Sequence, residues 1–137
     1  MKTQEYWTLP QVELANGEGN EAGLLDRLDR ILGGAVSSRL VSDVPLGALL
    51  SGGIDSSLVA ALMQKASAKP VRTFSIGFRE PGYDEAPWAA RVAAHLGTDH
   101  TSFYVTAKDA LKTIPRLPEI YDEPFADASA VPTSLVS

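Results

Sequence analysis

A chain of 137 residues, 45% of them hydrophobic, can bury one modest core but not two. Its formal net charge of −5, with no clustered Lys and Arg, argues against a nucleic-acid backbone or an anionic membrane surface as partner. No apolar run is long enough to cross a bilayer, the first ten residues lack signal-peptide order, and zero cysteines exclude disulfides and thiolate metal sites, so the expectation is a cytoplasmic soluble protein.

Residues 1–20 mix Pro10, Gly17 and Gly19 with polar residues and show no sustained period, which reads as an extended lead-in or linker anchored by Trp7 and Leu9. From Glu21 onward, Leu24, Leu25, Leu28, Ile31, Leu32, Val36 and Leu40 recur at helical spacing with Asp and Arg on the other face. This predicts an amphipathic helix. Gly33 and Gly34 each cost it about 1 kcal/mol relative to Ala, and predict a kink or a close helix-to-sheet contact. Pro45 bars continuation, and Leu46 to Leu50 reads as a buried strand, because parallel strands covered on both faces show apolar runs instead of alternation.

Ser51-Gly52-Gly53-Ile54-Asp55-Ser56-Ser57 then joins that strand to a helix running to about Ser67. Paired glycines let the backbone approach an anion closely, and the hydroxyls of Ser51, Ser56 and Ser57 add donors beside the open amides of a helix N-terminus. Asp55 would be repelled by phosphates unless a divalent cation lay between them, which points to a magnesium-bridged nucleotide. A turn-and-cap reading covers part of this pattern, but a cap needs one polar residue and not a packed set with two glycines. No GxxxxGK[ST] motif occurs, so the loop is not of the Walker type.

Val71 to Phe78 reads as a second strand, Asp84 as the cap of a helix through Trp88, Val92 and Ala93 to Leu96, and Gly97 as its terminator. Thr101 to Val105 is a third strand, and Thr106 opens a further helix through Leu111. Alternating strands and helices imply an α/β fold: a parallel sheet with right-handed crossovers, its ligand beyond the carboxyl ends of the strands. Both the SGGIDSS loop and the Gly77-Phe78 end of the second strand fall there. His95 and His100 lack metal-spaced partners and read as structural or surface residues.

The SGGIDSS loop resembles the PP-loop of N-type ATP pyrophosphatases, which split ATP between its α and β phosphates. GMP, NAD, asparagine and β-lactam synthetases have close variants of it. The flanks narrow the resemblance to the asparagine synthetase family: Ser42-Asp43-Val44-Pro45-Leu46-Gly47, Thr73-Phe74-Ser75-Ile76-Gly77-Phe78, Ala93-Ala94-His95-Leu96-Gly97-Thr98-Asp99-His100 and Asp122-Glu123-Pro124-Phe125-Ala126-Asp127 all match its motif order from about Glu21. The resemblance implies a Rossmann-like, adenine nucleotide alpha hydrolase-like fold, with residues 21–137 as the amino-terminal half of the synthetase domain and the sheet incomplete on its C-terminal side.

It further implies ATP and Mg2+ as cofactors. Ser51, Gly52, Gly53, Ser56 and Ser57 would hold pyrophosphate and Asp55 the metal. Leu50 and Ile76, with Gly77 beside it, would contact adenine; Leu50 and Ile76 are equally readable as core aliphatics. The reaction implied is adenylation of the aspartate side chain, followed by attack of ammonia to give asparagine, and it requires no catalytic acid or base from this segment. Family members that hydrolyse glutamine carry an N-terminal cysteine nucleophile; residue two here is Lys2, so the glutaminase domain is expected in the parent protein outside this chain. The family's second glycine-rich segment and a later phosphate-facing lysine also do not occur here, which makes this segment alone inactive by expectation and leaves an open sheet edge available for self-association. Asp122, Glu123 and Asp127 are either an amino-group recognition loop or a solvated acidic loop, and no Arg after Arg116 greets a substrate carboxylate. Two alternatives stay open: a non-catalytic nucleotide-binding remnant, and another PP-loop amidotransferase with a different acceptor.

Overall fold

The computed structural model describes residues 3–8, 20–79, 82, 84–123, 127 and 129–136; Leu9 and the 124–126 part of the acidic loop lie outside them. Helix α1 (Glu21–Ser37) starts where the Asn20 side chain accepts the Gly23 amide. It runs unbroken through Gly33 and Gly34, and a Cβ at either would meet nothing within 4 Å. The expected close helix-to-sheet contact is therefore absent. α1 packs on α2 (Ile54–Ala66), with an exposed Lys65–Asp29 pair between them at 3.0 Å that contributes little in solvent.

Three parallel strands, β1 (Gly47–Leu49), β2 (Arg72–Phe78) and β3 (Asp99–Val105), pair in chain order, with Leu49 opposite Phe74 and Phe74 opposite Thr101. β1 is shorter than its apolar run predicts, although the Leu50 amide extends the ladder by bonding the Phe74 carbonyl at 2.7 Å. Nor is it buried throughout. Leu50 is 1% exposed but Leu49 is 54% exposed, because β1 pairs only with β2 and one of its faces opens on a cleft.

Because strand order follows chain order, right-handed crossovers place α2 and α3 (Ala86–Leu96) on the same face of the sheet. The core sits there. Leu50, Ala60, Ala89 and Ala93 form it, with Val92 and Leu96 packed against it, and the alanines let the helices approach closely. The N-cap of α3 is Glu85, one residue later than the sequence predicts, although Asp84 accepts the Ala86 amide beside it; Gly97 ends the helix at φ 72° as predicted. The same sheet face carries a polar ladder. Thr73 Oγ1 is 2.9 Å from both Thr98 Oγ1 and His100 Nδ1, and the hydroxyls of Ser75 and Ser102 each lie 3.2 Å from His100 Nε2. His100 is thus structural, as its lack of metal-spaced partners predicts. Burial pushes its imidazole below the ordinary His value, countered in part by a backbone hydrogen bond to Thr73.

Beyond β3, Thr106 and Asp109 form a reciprocal capping box at the start of α4 (Ala107–Thr113). Helical structure continues past the predicted Leu111, through a 3-10 turn at Ile114–Arg116 and α5 (Leu117–Tyr121). α6 (Ala130–Val136), which the sequence reading did not anticipate, packs on the opposite side of β2 from the alanine core, across from Phe74 and Ile76. Its start is fixed by Asp127, whose carboxylate accepts the Ser129 amide and hydroxyl, both at 2.7 Å; these bonds hold the Asp127 carboxyl below the usual range. No helix among the described residues is long and apolar enough to cross a membrane.

Candidate functional site

The SGGIDSS loop leaves β1 at the carboxyl edge of the sheet and becomes the first turn of α2. Gly53 is the N-cap and has no side chain to close the helix end. The amide of Ser57 bonds the Gly53 carbonyl at 3.1 Å, so the amides of Ile54, Asp55 and Ser56 are the first-turn donors that an α-helix cannot use internally. Gly52 sits at φ 83°, and a Cβ there would lie 2.7 Å from the Ala89 nitrogen and 2.8 Å from the Trp88 carbonyl carbon. Backbone conformation and clearance both demand glycine at that position.

The serines divide into two kinds. Ser51 and Ser56 are tied to each other and to the loop: their hydroxyls are 2.8 Å apart, Ser56 Oγ donates to the Gly53 carbonyl at 3.3 Å, and Ser51 Oγ accepts the Gly53 amide at 3.2 Å. Their protons are engaged within the loop, so an incoming anion would have to draw them out. Ser57 differs. Its hydroxyl is buried and has no hydrogen-bond partner, a donor without an acceptor that native structures rarely tolerate without a ligand, a water or another role.

Asp55 extends from the first turn of α2 into solvent, where a carboxylate also complements the helix dipole. Among the described residues no group of three or more His, Asp or Glu is placed to hold a metal ion. A magnesium ion keeps several waters and binds through one or two carboxylates plus substrate phosphates, so a single Asp55 in the first turn of α2 would suit an ion that arrives with a nucleotide.

Two clefts flank the loop. One, of about 260 Å3, is lined by Leu49, Leu50, Ser51, Phe74 and Ile76 from the strand ends, and by Pro132 and Thr133 of α6. The other, of about 630 Å3, runs between α2 and α3 and includes Gly52 and Ser57. The structure therefore brings Ser51 and Ile76 together on one side of the loop and Gly52 with Ser57 on the other, while the Leu50 side chain, 1% exposed, packs in the alanine core as a core aliphatic and borders the smaller cleft only at the strand end. Gly77 lines neither cleft. A Cβ on it would fall 2.6 Å from the Tyr104 ring and 2.8 Å from Asp84 Oδ1, so packing against β3 already accounts for its small size.

Three features of this region escaped the sequence reading. The α6 wall was signalled by Ser129 followed by Pro132, a capping residue with Pro in the first turn. The Arg91–Trp88 pair was signalled by its i, i+3 spacing on a helix. The local engagement of Asp127 with Ser129 had no signal beyond Asp at a turn.

The family model described as asparagine synthase matches residues 27–137. A putative glutamine-hydrolysing asparagine synthetase 2 of Methanocaldococcus jannaschii is 40% identical over 133 residues, covering 96% of this chain and 25% of that protein. The glutamine-hydrolysing asparagine synthetase 1 of Bacillus subtilis is 34% identical over 103 residues, covering 75% of this chain and 16% of its own length. Asparagine synthetase B of Escherichia coli is 36% identical over 102 residues, covering 65% and 18%. The chain thus spans a quarter or less of the length of these relatives. Among solved structures, an NH3-dependent NAD synthetase from Campylobacter jejuni, in complex with nitrate, superposes with a TM-score of 0.50 at 18% identity, covering 80% of this chain and 46% of that one. That likeness supports the open parallel sheet and its helices.

Proposed function

The chain belongs to the asparagine synthase family, and from that premise we propose that it carries the ATP-cleaving loop of an ATP-dependent amide ligase whose product is asparagine. The observation that carries this reading is the SGGIDSS loop itself: a helix N-terminus without a side-chain cap, at the carboxyl edge of a parallel sheet, beside a cleft walled by Leu49, Phe74 and Ile76. On this reading the adenine ring occupies that cleft and the phosphates meet the amides of residues 52–56. Ser51, Ser56 and Ser57 then exchange their present arrangement for phosphate oxygens. Asp55 would hold Mg2+, which supplies charge neutralisation to the departing pyrophosphate.

With the α phosphorus held at the loop, the aspartate side-chain carboxylate attacks in line and pyrophosphate leaves. Ammonia attacks the resulting acyl-adenylate, and AMP departs with the asparagine released. The chain's part is binding, orientation and charge neutralisation, worth several kcal/mol of barrier without a protein acid or base. Residues 21–137 form the amino-terminal part of the synthetase domain and residues 1–20 its lead-in; a cytoplasmic parent protein would supply ammonia from a glutaminase domain, as the relatives' names suggest.

The test uses the parent protein with ATP, magnesium, aspartate and ammonia. Asparagine, AMP and pyrophosphate in equal amounts are expected. AMP formation with another acceptor would redirect the substrate assignment, and ATP binding with no AMP from any acceptor would mark the segment as a nucleotide-binding remnant.

A further inference from the structure

Apart from its end at Gly52 and Ser57, the larger of the two clefts has no role in the reading above. The α2–α3 groove is floored by Leu58, Ala61, Val92 and Leu96, and it meets the phosphate loop only through Gly52 and Ser57. Its rim is basic: the Arg91 guanidinium stands 5.0 Å from the centre of the Trp88 ring, and His95 follows one turn along α3. Among the described residues no Asp or Glu lines it, in a chain where acids outnumber Lys and Arg by 17 to 12. Lys65–Asp29 is the only ion pair among the described residues, so none of the described carboxylates lies within salt-bridge distance of Arg91.

Stacking on an indole holds a guanidinium in place while leaving its edge donors open to a planar anion. A groove of about 630 Å3 falls within the range of small-molecule sites, which combine an apolar lining with a few fixed polar groups. The geometry points to the α2–α3 groove as a binding site for a small organic carboxylate with an apolar body, its carboxylate on Arg91 and its body on the floor formed by Leu58, Ala61, Val92 and Leu96. This site is separate from the Leu50–Ile76 cleft and does not depend on ATP binding there.

Trp88 reports on the groove once the chain's other tryptophan is removed by Trp7→Phe. Cyclohexanecarboxylate, which does not absorb where indole is excited, is titrated against its neutral counterpart cyclohexylmethanol, with ligand-observed NMR as a readout independent of the indole. Saturable binding of the acid is expected, with the alcohol about tenfold weaker or worse, the fold-change for one charge-assisted hydrogen bond. Arg91→Gln, a surface change, should weaken the acid by a similar factor and leave the alcohol unaffected. Ala61→Phe, which fills the floor, should weaken both; if circular dichroism shows that it has unfolded, Leu58→Gln takes its place. Linear unsaturable response, equal affinity for acid and alcohol, or an Arg91→Gln variant that binds the acid as tightly as the parent overturns the proposal.

Discussion

Ser57 keeps a hydroxyl out of water without giving it a partner, which costs a folded protein about 1–3 kcal/mol. Removing it separates a structural role from a binding role, because the two predict opposite signs. Ser57→Ala should leave the free protein as stable or more stable in urea unfolding, and yet weaken binding of ATP with magnesium by calorimetry. Weaker binding without a stability loss supports a phosphate contact; unchanged affinity removes Ser57 from the site. Gly52 gives a harsher test. At φ 83° and with α3 backbone 2.7 Å from any Cβ, Gly52→Ala must shift either the loop or the first turns of α3. Loss of nucleotide affinity by tenfold or more is expected, together with destabilisation of about 1–3 kcal/mol from strain and overpacking. An alanine variant that binds as well as the parent would show that the loop does not need its present shape to take a nucleotide.

At the scale of elements, β2 and β3 expose their logic in Thr73, Ser75, His100 and Ser102, which build a polar ladder under α3 where an apolar face would be expected. His100 is the member that titrates, and its folded-state value is depressed, first by burial. Well above pH 6.5, His100 is neutral in both folded and unfolded chains and has no effect on stability. As pH falls below that, the unfolded chain takes up the proton first, so stability is lost progressively down to the depressed folded-state value. The melting temperature should therefore drop between about pH 7 and pH 5 more steeply for the parent than for His100→Gln. Parallel curves would mean that the ladder does not hold the ring neutral. This ladder also marks where the sequence was and was not legible. The strand predicted at Val71 to Phe78 and the stop at Gly97 follow from local chemistry and lie within one residue of where that chemistry puts them, and Asp84 sits one residue before the N-cap Glu85. The pairing of Thr73 with His100 is 27 residues apart and depends on register, which no local pattern supplies. The same limit hid α6 behind the cleft: Leu50 and Ile76 were linked only by the family resemblance, and Pro132 and Thr133 join the cleft only through tertiary packing.

Across the whole molecule, α1 and β1 pose one question together. The apolar stripe of α1 was legible from its spacing, but Leu24, Leu25, Leu28 and Ile31 remain about half exposed, since periodicity tells that a face wants cover and not what covers it. A groove of about 390 Å3 joins Leu32 and Val36 of α1 to Leu46, Gly47 and Val59, so the apolar surface runs on from the helix to the strand. Among the described residues β1 has only β2 as a partner, and no inward charge or proline within Gly47–Leu49 blunts its free edge. A continuous apolar surface beside an unpaired strand favours association, and we predict that the chain self-associates along this edge. Sedimentation velocity over a wide concentration range should show a rising weighted-average mass. Leu49→Lys places a charge on the exposed face of β1 without entering the core, because Leu49 points away from Leu50 and the alanine cluster. That variant should shift the distribution toward monomer while retaining the parent's helical signal and unfolding midpoint within about 0.5 kcal/mol. A parent chain that stays monomeric at every concentration, or an association that Leu49→Lys does not reduce, would exclude the β1 edge as the contact. The charge reversal Asp99→Lys on β3 serves as the control: it alters the other edge of the same sheet, and an effect equal to that of Leu49→Lys would assign the contact to general surface charge instead of to β1.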